Sequence, residues 1–93
     1  MITWGESKRR QVLKDHGVDI AKIEDILDDP FAFDYEDSEH SHTENRRVIV
    51  GKTAVYGLVV MVYVVRGENT HCITARRAER WMMRIYEKQR KRY

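Results

Sequence analysis

Apolar positions along this chain fall into blocks of different period. Residues 58–65, Leu-Val-Val-Met-Val-Tyr-Val-Val, are its longest unbroken apolar run. Side chains of β-branched and aromatic type suit a strand, and a strand without alternation is covered on both faces. Upstream, Phe31-Ala32-Phe33-Asp34-Tyr35 alternates large apolar with small or polar residues. Residues 46–52 put Val48 and Val50 on one side and Arg47 and Ile49 on the other. Both stretches carry the strand period. Thr70-His71-Cys72-Ile73-Thr74-Ala75 predicts a fourth strand, entered through a turn at Arg66-Gly67-Glu68-Asn69. From Ala78 onward the period lengthens. Ala78, Trp81, Met82, Ile85 and Tyr86 recur at helical intervals, which predicts an amphipathic helix packed through Trp81, Met82 and Ile85.

The N-terminal third predicts helices. Residues 6–13 form a short one, with Ser7 as N-cap, Val12 and Leu13 facing inward, and Gly17 as the left-handed residue that ends it. Asp19 caps a second over 20–27, whose apolar face is Ile20, Ile23, Ile26 and Leu27. Asp28-Asp29-Pro30 stops it, because proline disfavours helical backbone in the preceding residue. The order ααββββα predicts one α+β domain over 1–93: two N-terminal helices, a four-stranded antiparallel sheet and a C-terminal helix. If all the helices covered one face, the second apolar face of 58–65 would need a partner protein. Otherwise the terminal helix and the N-terminal pair take opposite faces.

Ninety-three residues allow a modest core without staples. The single cysteine, Cys72, excludes an internal disulfide framework, fits a reducing compartment, and in its apolar strand reads as an inert buried thiol. Charges at Glu6, Lys8, Arg9 and Arg10 precede any apolar stretch, and the 58–65 run is too short to cross a bilayer as a helix. These features predict a soluble cytoplasmic protein that does not associate with membrane.

Charge changes the picture further. The formal net charge of +2 hides an acidic middle, residues 24–44, with nine Asp or Glu and no Lys or Arg. Residues 71–93 carry eight Lys or Arg against two Glu. A basic end points to a polyanionic partner. Arg76, Arg80, Arg84 and Lys88 step along the outer side of the last helix, which also reads simply as a solvated face with ion pairs to Glu79 and Glu87. Arg76 and Arg77 stand where strand turns to helix, and guanidinium groups fit phosphate oxygens two at a time.

The chain has no glycine-rich phosphate loop, nucleophile elbow or paired-cysteine knuckle. His40-Ser41-His42 offers two imidazoles on a loop, but no further ligand is spaced to complete a metal site, so neither metal nor cofactor is expected. His16, His40, Glu44, Arg46, Arg66, Arg76 and Arg77 remain, each in a loop or at the end of an element. Acid–base groups with arginines, without metal, suit cleavage of RNA by its own 2′-hydroxyl.

In order and spacing, several short motifs resemble the BrnT-type toxins of type II toxin–antitoxin modules. They are Trp4 twelve residues before His16-Gly17-Val18, then Asp28-Asp29-Pro30, then Glu36-Asp37 leading to His40. Glu44-x-Arg46 follows before a strand ending at Gly51, and then Ile73-Thr74-Ala75-Arg76-Arg77-Ala78 with an Arg-rich helix to Tyr86-Glu87. The resemblance implies a RelE-like fold and a metal-independent ribonuclease that inhibits translation by cutting mRNA, free or on the ribosome. It also implies a BrnA-type antitoxin that neutralises the toxin and alone contacts operator DNA.

The family's His, Glu and Arg positions correspond to His16, Glu44, Arg46 and Arg76. Arg46 and Arg76 would hold the scissile phosphate. His16 would serve as general base, with Glu44 as the second candidate and His40 a weaker one. Lys14, Arg66, Arg77, Arg80 and Arg84 are candidates for contacts to the RNA backbone. The sequence departs from the family pattern at Gly5, Val12 and Asp15, where the family has Asp, Asn and Lys. A second class of function is therefore carried alongside: a catalytically weak or inactive homologue that binds antitoxin or nucleic acid. Loss of RNA cleavage with retained antitoxin binding separates the two.

Overall fold

The computed structural model describes residues 1–40 and 43–92, so Ser41 and His42 of the two-imidazole loop lie outside the described residues. The long apolar run becomes β4 (Gly57–Arg66), flanked on both sides by antiparallel neighbours, β3 (Arg47–Thr53) and β5 (Asn69–Arg77). β2 (Phe33–Glu36) adds antiparallel to β3 at one edge. At the other edge β1 (Ile2–Thr3) pairs parallel with Thr70 and His71, giving the order β1-β5-β4-β3-β2. The sheet is therefore five-stranded and mixed rather than four-stranded and antiparallel. Two residues are too few to show a period, which is why β1 carries no sequence signal.

One helix, α1 (Glu6–His16), precedes the sheet instead of two. Its N-cap is Gly5 rather than Ser7, and Leu13 faces outward while Val12 is buried. Gly17 ends it as expected, at φ 68° with its N–H donating to the Leu13 carbonyl. Beyond it, the expected second helix is a pair of 3-10 turns, Ile20–Lys22 and Glu24–Asp28, the first capped by the Asp19 side chain. Ile20, Ile23 and Ile26 lie three apart, and in 3-10 geometry such residues eclipse one another. All three are buried, whereas Leu27, off that spacing, is exposed.

These N-terminal elements cover one face of the sheet, packing Val12, Val18 and the three isoleucines onto Val59, Met61, Tyr63, Cys72 and Ala75. The close approach has a local cause. A Cβ on Gly51 would sit 2.8 Å from Ile26 Cγ1 and 3.1 Å from Ala32 Cβ. The terminal helix α2 (Arg80–Lys91) takes the other face, where Ala78 and Met82 meet Val48, Val50 and Val60. Both faces of β4 thus receive a layer from within the chain, the second one over Val60.

The inward line of α2 differs from the expected one. Met82 and Tyr86 are 2% and 3% exposed, while Trp81 and Ile85 are 44% and 42% exposed. Ala78, Met82 and Tyr86 stand four apart and form the inner line; Trp81 and Ile85 flank it. Met82→Asp should accordingly cost several kcal/mol, because it buries an unpaired carboxylate. Ile85→Asp should cost roughly 0.5 kcal/mol or less, as a surface change does. Urea unfolding of the two variants checks the assignment.

Asp29 ties the layers together. Its Oδ2 accepts from the Lys52 backbone N–H at 2.7 Å and from the Tyr86 hydroxyl at 2.8 Å, and its Oδ1 from the Phe31 N–H at 2.9 Å. Burial alone would raise its carboxyl pKa, but the three donors and Lys52 outweigh it and hold the group below its ordinary 3.8. Burial first, then Asp29, pushes the Tyr86 phenol up to about 12. A carboxyl depressed in the folded state contributes stability in full above its unfolded pKa and loses it as pH falls through the folded value. Asp29→Asn keeps one acceptor oxygen, which can serve Lys52 and Tyr86, but sets an NH₂ against the Phe31 N–H and loses the charge. It should cost on the order of 1–2 kcal/mol near neutrality, a range set by partial solvation. It should also flatten the fall of melting temperature as pH drops below the ordinary carboxylate pKa of 3.8.

Candidate functional site

On the α2 face the sheet is open beside the start of the helix, and two neighbouring hollows occupy that opening. One, of about 160 Å³, is lined by His40, Thr43, Glu44, Arg46, Val64 and Ile73. The other, of about 220 Å³, lies one step along β4 and β5. It has Val60, Val62 and Met82 as floor, with Tyr35, Asp37, Thr74 and Arg76 among its walls. A bulge in β5 shapes the boundary: Val62 pairs with Thr74 and Tyr63 with Cys72, leaving Ile73 between them without a pairing partner.

Hydrogen bonds hold the polar groups. The Asp37 backbone N–H donates to the Arg46 carbonyl at 2.8 Å, pinning the loop to the start of β3. His40 closes a 3-10 turn (Ser38–His40), and its Nδ1 lies 3.1 Å from each Asp37 carboxylate oxygen. A carboxylate can only accept, so Nδ1 is the donor in this pair, and in the neutral imidazole Nε2 is then the acceptor. Glu44 receives a two-pronged bond from Arg66, at 2.9 and 3.0 Å. That pairing, helped by His71 and Arg46, holds the Glu44 carboxyl below its usual range. Arg76 lies 3.4 Å from Glu79, whose other oxygen accepts from the Trp81 indole.

Of the residues singled out in the sequence, Glu44, Arg46 and Arg76 therefore come together on one face, joined by His40 and with Arg66 behind Glu44. His16 and Lys14 do not join them. Both are exposed on α1, which packs on the opposite face, and among the described residues neither side chain makes a hydrogen bond or ion pair. Arg77 follows Arg76 in β5 and points the other way, its guanidinium 5.6 Å from the Tyr56 ring centroid. Arg80 and Arg84 are exposed on α2. Cys72 is buried, which pushes its thiol up to about 12 and makes it unreactive near neutrality. Among the described residues no three His, Cys, Asp or Glu side chains gather to hold a metal ion.

Two residues named in the sequence analysis without a role also border this region. Asp37 orients His40, and the three-residue spacing of a turn could have revealed it. His71, whose Nδ1 is 2.9 Å from Thr3 Oγ1, acts on Glu44 from the β1 edge. Nothing in the sequence signals that contact, because β1 itself is silent.

The fold is a small α+β one. It matches the 1.1 Å crystal structure of the Brucella abortus ribonuclease toxin BrnT with a TM-score of 0.64. The match covers 85% of this chain and 96% of that one at 23% identity, a level at which the likeness concerns fold alone. The sequence supplies the family: residues 4–81 match the model of the ribonuclease toxin BrnT of type II toxin–antitoxin systems, and the chain belongs to that family. Membership implies an antitoxin partner. No curated protein matches the chain. No helix among the described residues is long and apolar enough to cross a membrane.

The Arg66 pair generates a direct test. Arg66→Ala removes the largest cause of the low Glu44 pKa, so Glu44 should titrate closer to its ordinary 4.5. Carboxyl carbon NMR would follow it, and an unmoved titration would mean that the pair does not form in solution.

Proposed function

We propose that the chain, as one domain, is a metal-independent endoribonuclease that cuts mRNA in the cytoplasm and so blocks translation, with its centre in the opening beside α2. One observation carries this reading: His40, Glu44, Arg46 and Arg76 share one sheet face in neighbouring hollows. Arg46 and Arg76 hold the scissile phosphate and offset the charge that builds on it. The RNA's 2′-oxygen attacks phosphorus, the bond to the 5′-oxygen breaks and that oxygen takes a proton from solvent water, so that a 2′,3′-cyclic phosphate and a 5′-hydroxyl result. His40 takes the 2′-hydroxyl proton on Nε2 while Asp37 steadies the imidazolium. Glu44, kept ionised by Arg66, is a weak base and acts by positioning Arg46 electrostatically.

His16, which the resemblance favours as base, lies on the far layer and is left a structural place at the end of α1. Asp15 is exposed on that same helix and Val12 is a core residue, so the departures from the family pattern fall away from the opening. That favours an active enzyme over a purely binding homologue. A BrnA-type antitoxin neutralises the protein and supplies the only contact with operator DNA.

His40→Ala should slow cleavage by about 10² to 10⁴, and Arg46→Ala or Arg76→Ala by about 10² to 10³. His16→Ala should cut at nearly the parent rate, and all four should melt alike and bind antitoxin. Cleavage should persist in EDTA and leave cyclic phosphate ends. Loss of activity in His16→Ala with an active His40→Ala would overturn the assignment of the base, and chelator-sensitive cutting to 5′-phosphates would overturn the mechanism.

A further inference from the structure

We propose that the hollow between Tyr35 and Arg76 is a nucleobase subsite that receives the base beside the scissile phosphate, with Trp81 on its rim. The proposal rests on the ribonuclease reading and names a part of the substrate that reading leaves open. Its first support is chemical. The floor is aliphatic, from Val60, Val62 and Met82, while Arg76 contributes a guanidinium to the wall. An apolar slot with a cation beside it fits a flat uncharged ring attached to a phosphate. At about 220 Å³ it is smaller than the roughly 300–1,000 Å³ of pockets for drug-sized ligands, which limits it to a single ring system.

The aromatic groups supply the second support. Phe33 and Tyr35 stack with centroids 6.4 Å apart, and the Trp81 ring stands 6.4 Å from Tyr35, tilted by 50°. Trp81 is 44% exposed although Met82 beside it is buried, so the indole presents aromatic surface to solvent at the edge of the slot. Glu79 accepts from that indole and pairs with Arg76, which fixes the aromatic rim to the phosphate-holding arginine. Sequence-tolerant binding of single-stranded RNA uses this combination, with bases on aromatic faces and phosphates on cations.

Position is the third. Val62 lines this hollow and Val64 the catalytic one, ~7 Å apart along a strand. That is the reach of one nucleotide. Asp37 borders the slot and holds His40 in the other hollow, so a base seated here sets the sugar and phosphate against the imidazole.

Kinetics with short RNAs that carry an abasic nucleotide on either side of the cut site test this on the unmodified protein. One of the two should raise KM about ten- to a hundredfold, the range expected for losing one stacked base, with little change in kcat. Tyr35→Ala and Trp81→Ala should raise KM on intact RNA and make no further difference on that abasic RNA; Tyr35→Phe should restore binding. Equal KM for intact and both abasic RNAs would overturn the subsite. So would unchanged KM in Trp81→Ala, an exposed position whose replacement leaves the core alone. If Trp81→Ala instead loses antitoxin binding at unchanged KM, the surface belongs to a protein partner and the proposal fails. In each failing case Arg76→Ala still distinguishes the two readings: a silent Arg76→Ala refutes the ribonuclease centre, an inactive one refutes only the subsite.

Discussion

β4 is apolar on both faces, and that single constraint organises the molecule. A strand of this kind is stable only between two layers, because leaving either face in water forfeits most of its burial. The chain before the sheet supplies one layer and the chain after it supplies the other. Connectivity then dictates the opening. β5 ends at Arg77, the chain turns at Ala78, and α2 starts over Val60 and Val48 rather than over Val64. The stretch of sheet around Val62, Val64 and Ile73 lies beside the helix start and borders the two hollows. The arginine at the end of β5 and the loop leading into β3 reach the same place.

The acidic middle of the chain is built into the fold. Asp25 accepts from the Ala54 N–H at 2.8 Å, Asp29 joins the 3-10 turns to β3 and α2, and Asp34 accepts from Tyr63 and Arg47. Arg47 holds Asp34 below the usual carboxylate range against the opposing effect of burial. Asp34 paired with Arg47 and Glu44 paired with Arg66 present less negative field than a bare count suggests. The repulsion of a polyanion expected of this segment is correspondingly reduced, and the basic end does not have to lie far from it.

Much of the architecture was legible because it follows from periods. The four longer strands, α1, its glycine stop and the final helix all come from spacing and turn chemistry. The failures are equally physical. A two-residue parallel strand has no pattern to detect, and an Ile-x-x-Ile-x-x-Ile spacing serves a 3-10 turn as well as one side of an α-helix. The tilt of α2 depends on what its neighbours offer, and Tyr86 turned inward because Asp29 was there to receive its hydroxyl. For the candidate site, residue type and motif singled out the arginines and Glu44, and the structure places Glu44, Arg46 and Arg76 along one sheet face. The separation of His16 from them was not legible, since a linear motif records order along the chain and carries no information about which face of a sheet an element covers.

That last point bears on how the family's pattern is to be understood in this chain. The motif around His16 and the motif around Arg76 lie on opposite layers, joined through the sheet by a shared core. Val12, where the family pattern has a polar residue, packs in the same cluster as Met61 and Cys72, and apolar character is what that position requires here. Asp15 lies in water, where solvent screens its charge before it reaches the opening beside α2. The N-terminal layer therefore tolerates change as long as it continues to cover Val59 and Met61, while the polar pairs of the opening, Asp37 with His40, Glu44 with Arg66 and Glu79 with Arg76, all lie on the other side of the sheet or at its edge.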